Sequence, residues 1–391
     1  MANQRAVFRY DKGFIVDFIP YGRQTIDSSD IESVIEVLKS NYLTTGKRVN
    51  EFEEAIASYC GAKYCVAVSS GTAALHIASL AILDREDKII TTPNSFLATA
   101  NSIIYAGAKP IFVDIAKDGN IDLEWVEERL RIDPSIKGLY GVSFSGNMLN
   151  QDRLKEIRER YNITILEDNA HSIGATYRGI KAGSCINSDV SIFSFHPVKG
   201  MTTGEGGAVT TNSKEIYEKL LTLRNHGMVK STDMKPWEYE MRELGFNYRL
   251  TDIQSALGLS QLKRLDDFIA KRRDIAKSYD EAFRGTIVKP LYRYNPESAY
   301  HLYVVKVDFD KLSISKEELF IKMREKNIGL QLHYIPINIQ PYYRKLGYGD
   351  EVNSNMYRYY KEAFSLPIYP LLSSSQQDFV IESLFKVLDV K

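Results

Sequence analysis

Between Tyr64 and Phe195 short apolar runs and helix-length runs take turns, and that alternation restricts the chain more than any other feature. The short runs are Tyr64–Ser69, Lys88–Thr92, Pro110–Asp114, Gly138–Phe144, Ile163–Glu167 and Val190–Phe195. Helical runs fall between them at Thr72–Ile82, Phe96–Ala106, Leu123–Arg131 and Gln151–Tyr161. Such alternation predicts right-handed crossover units and an α/β fold, with a mostly parallel sheet covered by helices on both faces. Ligands in sheets of this kind bind at the carboxyl ends of the strands. Ser69, Thr91, Asp168 and Phe195 stand at such ends.

The flanking segments extend the pattern. Ile26–Ser40 and Val49–Tyr59 read as helices, the first with a capping signal at Ser28–Asp30. After Thr211 the alternation stops. Glu215–Arg224, Thr251–Leu262 and Leu265–Phe283 read as helices, and Val229–Glu243 as a polar loop. Ala299–Asp308 reads as a strand, Ser315–Lys326 as a helix, Gln331–Tyr334 as a strand end and Gln376–Leu388 as a closing helix. We divide the chain into an N-terminal extension (1–18), a large unit (19–262) and a smaller C-terminal α+β unit (263–391). With 391 residues the chain is long enough for two such units.

Ser191–Val209 reads SIFSFHPVKGMTTGEGGAV and sets one lysine, Lys199, in a turn between two apolar runs. A buried, unpaired ammonium is unfavourable, but a deprotonated lysine attacks carbonyls and forms Schiff bases. Taken alone, Lys199 reads better as a solvated turn residue. Its context adds Asp168 at the end of one apolar run and Ser69–Ala73 at the end of another. Pyridoxal 5′-phosphate (PLP) asks for these pieces: an amine, a carboxylate at the pyridine nitrogen, phosphate donors and a flat cover for the ring. Asp168 fits the carboxylate, although it also reads as a helix N-cap. Glu167 points to the opposite face of a regular strand. The turn Ser69–Ala73 offers first-turn amides to an anion, and Ser194 a further hydroxyl, although each is common in a strand-to-helix turn or a strand. Phe96 reads as ring cover or as core. His171 stands three residues after Asp168, within reach of the ring hydroxyl.

The bulk numbers exclude several classes. Fifty basic residues balance fifty acidic ones, so no basic patch invites nucleic acid. Three cysteines show no metal or disulfide spacing. No apolar stretch approaches the ~20 residues of a membrane span, and the start lacks a signal-peptide core. The expectation is a cytoplasmic enzyme with no membrane partner.

Eight motifs in order identify a resemblance: LTTGKRVNEFE (43–53), SSGTAALHIA (69–78), TTPNSFLATAN (91–101), EDNAHSIGA (167–175), SFHPVKGMTTGEGGAV (194–209), RNHGM (224–228), GFNYRLTDIQSALGLSQL (245–262) and LHYIP (332–336). From about Phe18 onward the chain resembles the DegT/DnrJ/EryC1/StrS sugar-nucleotide aminotransferases, a branch of fold-type I PLP enzymes. The resemblance implies that Lys199 forms the internal aldimine and that Asp168 pairs with the pyridine nitrogen, with His171 near the ring hydroxyl. It implies that Thr72, Ala73 and Ser194 bind phosphate and that Phe96 stacks on the ring. Asn247 would reach the phosphate in the neighbouring subunit, making a homodimer with shared sites. Tyr248 and His333 would lie near the sugar nucleotide. Glutamate is the implied amino donor. Within the family the likeness is greatest to the pseudaminic acid branch, which aminates C4 of a UDP-linked 4-keto-6-deoxy-N-acetylhexosamine. Ser143 stands where that branch commonly has aspartate, and Gly200 where it often has proline. The alternatives are a dTDP-sugar 3- or 4-aminotransferase and a non-catalytic binder of PLP or sugar nucleotide on the same fold. Lys199 argues against the dehydratase branch, which has histidine there.

Overall fold

The computed structural model describes residues 17–351 and 353–389. The N-terminal extension therefore lies, apart from Asp17 and Phe18, outside the described residues. The chain opens with α1 (Ser28–Leu38) and α2 (Lys47–Cys60). Asp27 is the N-cap of α1 and forms a capping box with Asp30. The alternating region follows as β1 (Tyr64–Val68), α3 (Gly71–Ile82), β2 (Lys88–Thr91), α4 (Leu97–Tyr105), β3 (Lys109–Phe112), α5 (Leu123–Ile132), β4 (Ile136–Val142), α6 (Gln151–Tyr161) and β5 (Thr164–Asp168). A small ladder, β6 (Thr176–Tyr177) with β7 (Ile180–Lys181), leads to β8 (Val190–Ser194) and β9 (Gly207–Thr211). Every strand and helix expected over Tyr64–Phe195 is present, with ends displaced by a residue or two.

The main sheet has the order β1-β9-β8-β5-β4-β2-β3. It is mostly parallel; β9 runs antiparallel between β1 and β8. That reversal has a local cause. The connection from Ser194 to Gly207 carries no crossover helix, and a short return can only come back antiparallel. Alternate side chains of the strands enter different cores. Cys65 and Ala67 of β1 and Phe193 of β8 pack with Phe52 and Ile56 of α2. Val66, Val68, Val190 and Ile192 pack on the other face with Ala74 and Ile77 of α3. The period of two in the strands thus produces helices on both faces.

Beyond β9 come α7 (Lys214–Arg224), a two-residue ladder of β10 (Met228–Val229) with β11 (Glu240–Met241), α8 (Asp252–Leu262) and α9 (Leu265–Ala282). The ladder falls almost wholly in the stretch expected to be a loop; two residues per strand are too few to show a period. The rest comprises β12 (Lys289–Pro290), β13 (Tyr303–Lys306), α10 (Lys316–Glu325), α11 (Pro341–Lys345), α12 (Ser354–Glu362), β14 (Ala363–Leu366) and α13 (Ser374–Leu388). Strands β12, β13 and β14 form a separate antiparallel sheet. In place of a strand at Gln331–Tyr334, a single bridge joins Gln331 to Ser365. Helix α9 serves two cores: Leu265 and Ile269 pack with Phe52 and Phe195, whereas Ile275 and Tyr279 pack with Val305 and Phe364. Ile19 belongs to the second of these cores.

Phe52 is fully buried and meets Phe195 edge-on at 5.4 Å between ring centroids. Phe52→Ala is expected to cost about 3–5 kcal/mol of stability, read as a lower urea midpoint at unchanged slope. A loss within ~0.5 kcal/mol, the range of ordinary surface substitutions, would contradict this packing.

Candidate active site

A cavity of about 540 Å³ opens at the carboxyl ends of β1, β5 and β8 and is roofed by the 331–334 segment. That volume suits a small-molecule site. Lys199 lies on its floor. The turn after β8 is fixed by the Lys199 amide donating to His196 O at 2.9 Å, and by Arg272 Nη2 donating to Lys199 O at 3.5 Å. Burial lowers the Lys199 amine to about 8, and the nearby Asp168 charge opposes that fall. An appreciable share of the amine is therefore uncharged near neutrality, which is the nucleophilic form.

Asp168 ends β5 and is 5% exposed. Its Oδ2 accepts from Thr99 Oγ1 at 2.6 Å and its Oδ1 from the Ala170 amide at 3.1 Å. Burial pushes this carboxyl up, while Thr99, Ala170 and Lys199 hold it down. The neighbouring Glu167 faces the other way, bonded by Gln151 and Ser188. Strand geometry thus assigns a single carboxylate of the pair to the cavity.

At the end of β1 the chain turns into α3. Ser70 is the N-cap, and its Oγ accepts from the Ala73 amide at 3.0 Å. Thr72 and Gly71 line the cavity, as does Ser194 from β8. Ala73 sits behind them with its amide committed to Ser70. Gly71 is required by proximity: a β-carbon there would stand 2.7 Å from Ser194 Cβ. The first-turn amides of α3 and two hydroxyls therefore converge where a helix leaves donors unpaired.

Phe96 caps α4 at the cavity mouth and is 58% exposed, its ring 6.1 Å from that of Tyr334. His171 is buried; its Nδ1 accepts from the Ser145 amide at 3.3 Å and its Nε2 faces Tyr334 OH at 3.1 Å. These partners assign the proton to Nε2, and burial with the Lys199 charge holds the ring neutral, well below its ordinary pKa. His333 lines the roof, its Nδ1 paired with Ser365 Oγ at 2.8 Å and its pKa lowered by burial to about 3. Among the described residues no group of three or more His, Cys, Asp or Glu side chains is arranged to hold a metal ion.

The residues over 24–385 match the model of the DegT/DnrJ/EryC1/StrS aminotransferase family. The chain belongs to this family. It is 41% identical over 377 residues to a Campylobacter jejuni protein named UDP-4-amino-4,6-dideoxy-N-acetyl-beta-L-altrosamine transaminase, covering 95% of this chain and 98% of that one. It is 37% identical over 377 residues to the Bacillus subtilis spore coat polysaccharide biosynthesis protein SpsC, covering 94% and 96%. Among solved structures, Helicobacter pylori PseC, an aminotransferase of pseudaminic acid biosynthesis, superposes with a TM-score of 0.89 at 32% identity, covering 95% of this chain and all of that one. A Streptococcus pneumoniae sugar aminotransferase described in its PLP form superposes at 0.85 with 29% identity, over 95% and 99%. The protein is thus an aminotransferase of this family, whose members work with PLP.

The donor set of this family member fits that cofactor: one buried amine, one oriented carboxylate and a close-approach glycine beside hydroxyls and helix amides. Two of the residues singled out from the sequence stand apart from the cavity within one chain. Asn247 is exposed, and Tyr248 packs against Phe246 with its OH 3.1 Å from His76 Nδ1. Sequence reasoning missed Thr99, which orients Asp168, and Ser95, bonded to Thr99 at 2.6 Å. Their helical spacing of four within TTPNSFLATAN was the available signal. It also gave no role to Tyr21, His301 and Tyr334, which line the cavity from distant parts of the chain; Tyr334 lies in the LHYIP motif, whereas Tyr21 and His301 carry no local signature.

With Lys199 near 8, capture of PLP by cofactor-free protein is expected to speed up as pH rises through about 8 and to level off above it, followed by stopped-flow absorbance. Asp168→Asn removes the charge that opposes the fall, so its midpoint moves to lower pH. An unmoved midpoint would contradict the coupling.

Proposed function

We propose that this enzyme is a PLP-dependent transaminase moving an amino group from glutamate to C4 of a UDP-linked 4-keto-6-deoxy-N-acetylhexosamine. One observation carries the reading: a buried lysine of lowered pKa shares one cavity with one buried, oriented carboxylate, in a chain 41% identical to a transaminase named for the corresponding UDP-linked 4-amino-4,6-dideoxy sugar.

When bound, PLP supplies an aldehyde for an amine and a ring that draws electrons from the adjoining carbon. The chain's residues do the rest. Asp168 holds the proton on the pyridine nitrogen. Thr72, Ser194 and the α3 amides take the phosphate, with Ala73 backing the turn. Phe96 would cover the ring, and neutral His171 would stand on the side of the ring hydroxyl. Lys199 Nζ would act as the general base and acid that takes the proton from the donor α-carbon and gives it back on the far side of the amine. The same lysine would serve as base and acid when the keto sugar takes the place of the keto acid.

Asn247 is exposed, as a residue reaching a neighbouring subunit's phosphate must be. Trp237 and Leu244, 73% and 75% exposed, offer apolar surface for burial against a second copy. We therefore infer a homodimer with shared sites, His333 and Tyr248 facing the sugar nucleotide, and a cytoplasmic location. Among the described residues no helix is long and apolar enough to cross a membrane.

Purified protein with PLP and glutamate should be offered UDP- and dTDP-linked 3-keto and 4-keto sugars, with products read by mass spectrometry. Amination of the UDP-linked 4-keto-6-deoxy-N-acetylhexosamine is expected; selective amination of another member would contradict the substrate. Lys199→Ala should lose turnover and the cofactor's absorbance band. Asp168→Asn should keep cofactor and lose at least about 100-fold in rate, the scale of a lost proton-transfer contribution; a near-normal rate would remove Asp168 from its role.

A further inference from the structure

His301 is 4% exposed, lines the cavity that holds Lys199, and has no role in the account above. Its Nδ1 is buried with no hydrogen-bond partner among the described residues. The other two buried histidines of the cavity, His171 and His333, are both engaged. A buried polar atom left unpaired is unfavourable and calls for a reason.

The backbone around His301 is tied from three sides. Arg272 Nη1 on α9 donates to Tyr300 O at 3.4 Å, His301 O at 3.3 Å and Ile368 O at 2.9 Å. Gly146, at φ 101°, approaches so closely that a β-carbon there would stand 3.0 Å from the His301 amide nitrogen. The imidazole is thus fixed in place with a free nitrogen.

The charged and titratable groups facing it are Lys199 on the turn after β8, His171 after β5, Arg272 on α9 and His333 after α10. All are basic, and with burial they keep His301 neutral, well below its ordinary pKa. No arginine side chain lines the cavity among the described residues.

We propose that His301 receives the α-carboxylate of the amino donor and releases its charge when the keto sugar takes the donor's place. The proposal rests on the transaminase reading above. The donor amine replaces that of Lys199, so the carboxylate on the donor's α-carbon arrives at the end of the cavity that Lys199 and His301 share. The same place must then accept an uncharged sugar carbon. A fixed guanidinium would be left there as a buried charge without an anion. An imidazole takes one proton from water as the carboxylate enters, forms a charge-assisted hydrogen bond, and returns the proton when the keto acid leaves.

The test uses the holoenzyme and its two half-reactions, each followed in the cofactor's absorbance. If the wild type does not react with glutamate, the transaminase reading itself fails. If it reacts, His301→Gln and His301→Asn are expected to raise half-saturating glutamate at least about tenfold, the loss of one charge-assisted hydrogen bond. Half-saturating keto sugar should stay within about twofold. Equilibrium binding of unreactive glutarate, measured by calorimetry, should weaken by the same factor. Wild-type glutarate affinity should also fall as pH rises, with the cofactor band reporting separately any proton held at Lys199 Nζ. Unchanged glutarate affinity in both variants, or equal losses for donor and sugar, would overturn the proposal. If neither variant holds cofactor, a wild-type affinity flat in pH overturns it alone.

Discussion

The structure depends on keeping one amine and one carboxylate together out of water. Lys199 and Asp168 come from the ends of neighbouring parallel strands, β8 and β5. Each perturbs the other: the carboxylate opposes the fall of the amine to about 8, and the ammonium holds the carboxyl down. Two buried charges without further partners would relax by neutralising. Thr99 and the Ala170 amide prevent this for Asp168 by supplying donors. The Lys199 turn is instead fixed through its backbone, which leaves the amine free to react.

The parallel sheet explains why these groups meet. Strand ends that point one way deliver Ser70, Val142, Asp168 and Ser194 to a single edge, and the helices that follow bring Thr72, Phe96 and Thr99. The rest of the wall comes from sequence far away. Tyr21 precedes the first helix, while His301, His333 and Tyr334 follow the change of pattern after α8. Arg272 links the two groups, with donors to Lys199 O on one side and to His301 O on the other. Burial lowers this guanidinium to about 10, and its hydrogen bonds go to the backbone carbonyls of Tyr300, His301, Ile368 and Lys199. It acts as a tie between segments and not as an ion-pair partner.

What could be read from the sequence follows this division. The α/β alternation and the choice of Asp168 over Glu167 were legible because a strand's period of two is written in its residues. The antiparallel β9 was not, since apolarity carries no direction; only the missing crossover helix signals it. Helix α12 and strand β14 escaped notice because NSNMYRYYKEAFSL is rich in tyrosine, which blurs both periods. The distant cavity residues Tyr21 and His301 were beyond reach for a different reason. A residue acquires its role from the fold, and no local spacing marks a histidine that is buried among lysine, arginine and other histidines.

The most direct test of the central claim is to find where the cofactor attaches. Protein incubated with PLP would be reduced with borohydride, digested and mapped by mass spectrometry. The account predicts a phosphopyridoxyl group on Lys199 and on no other lysine at stoichiometric labelling. Labelling at a different lysine, or no stable adduct, would contradict it.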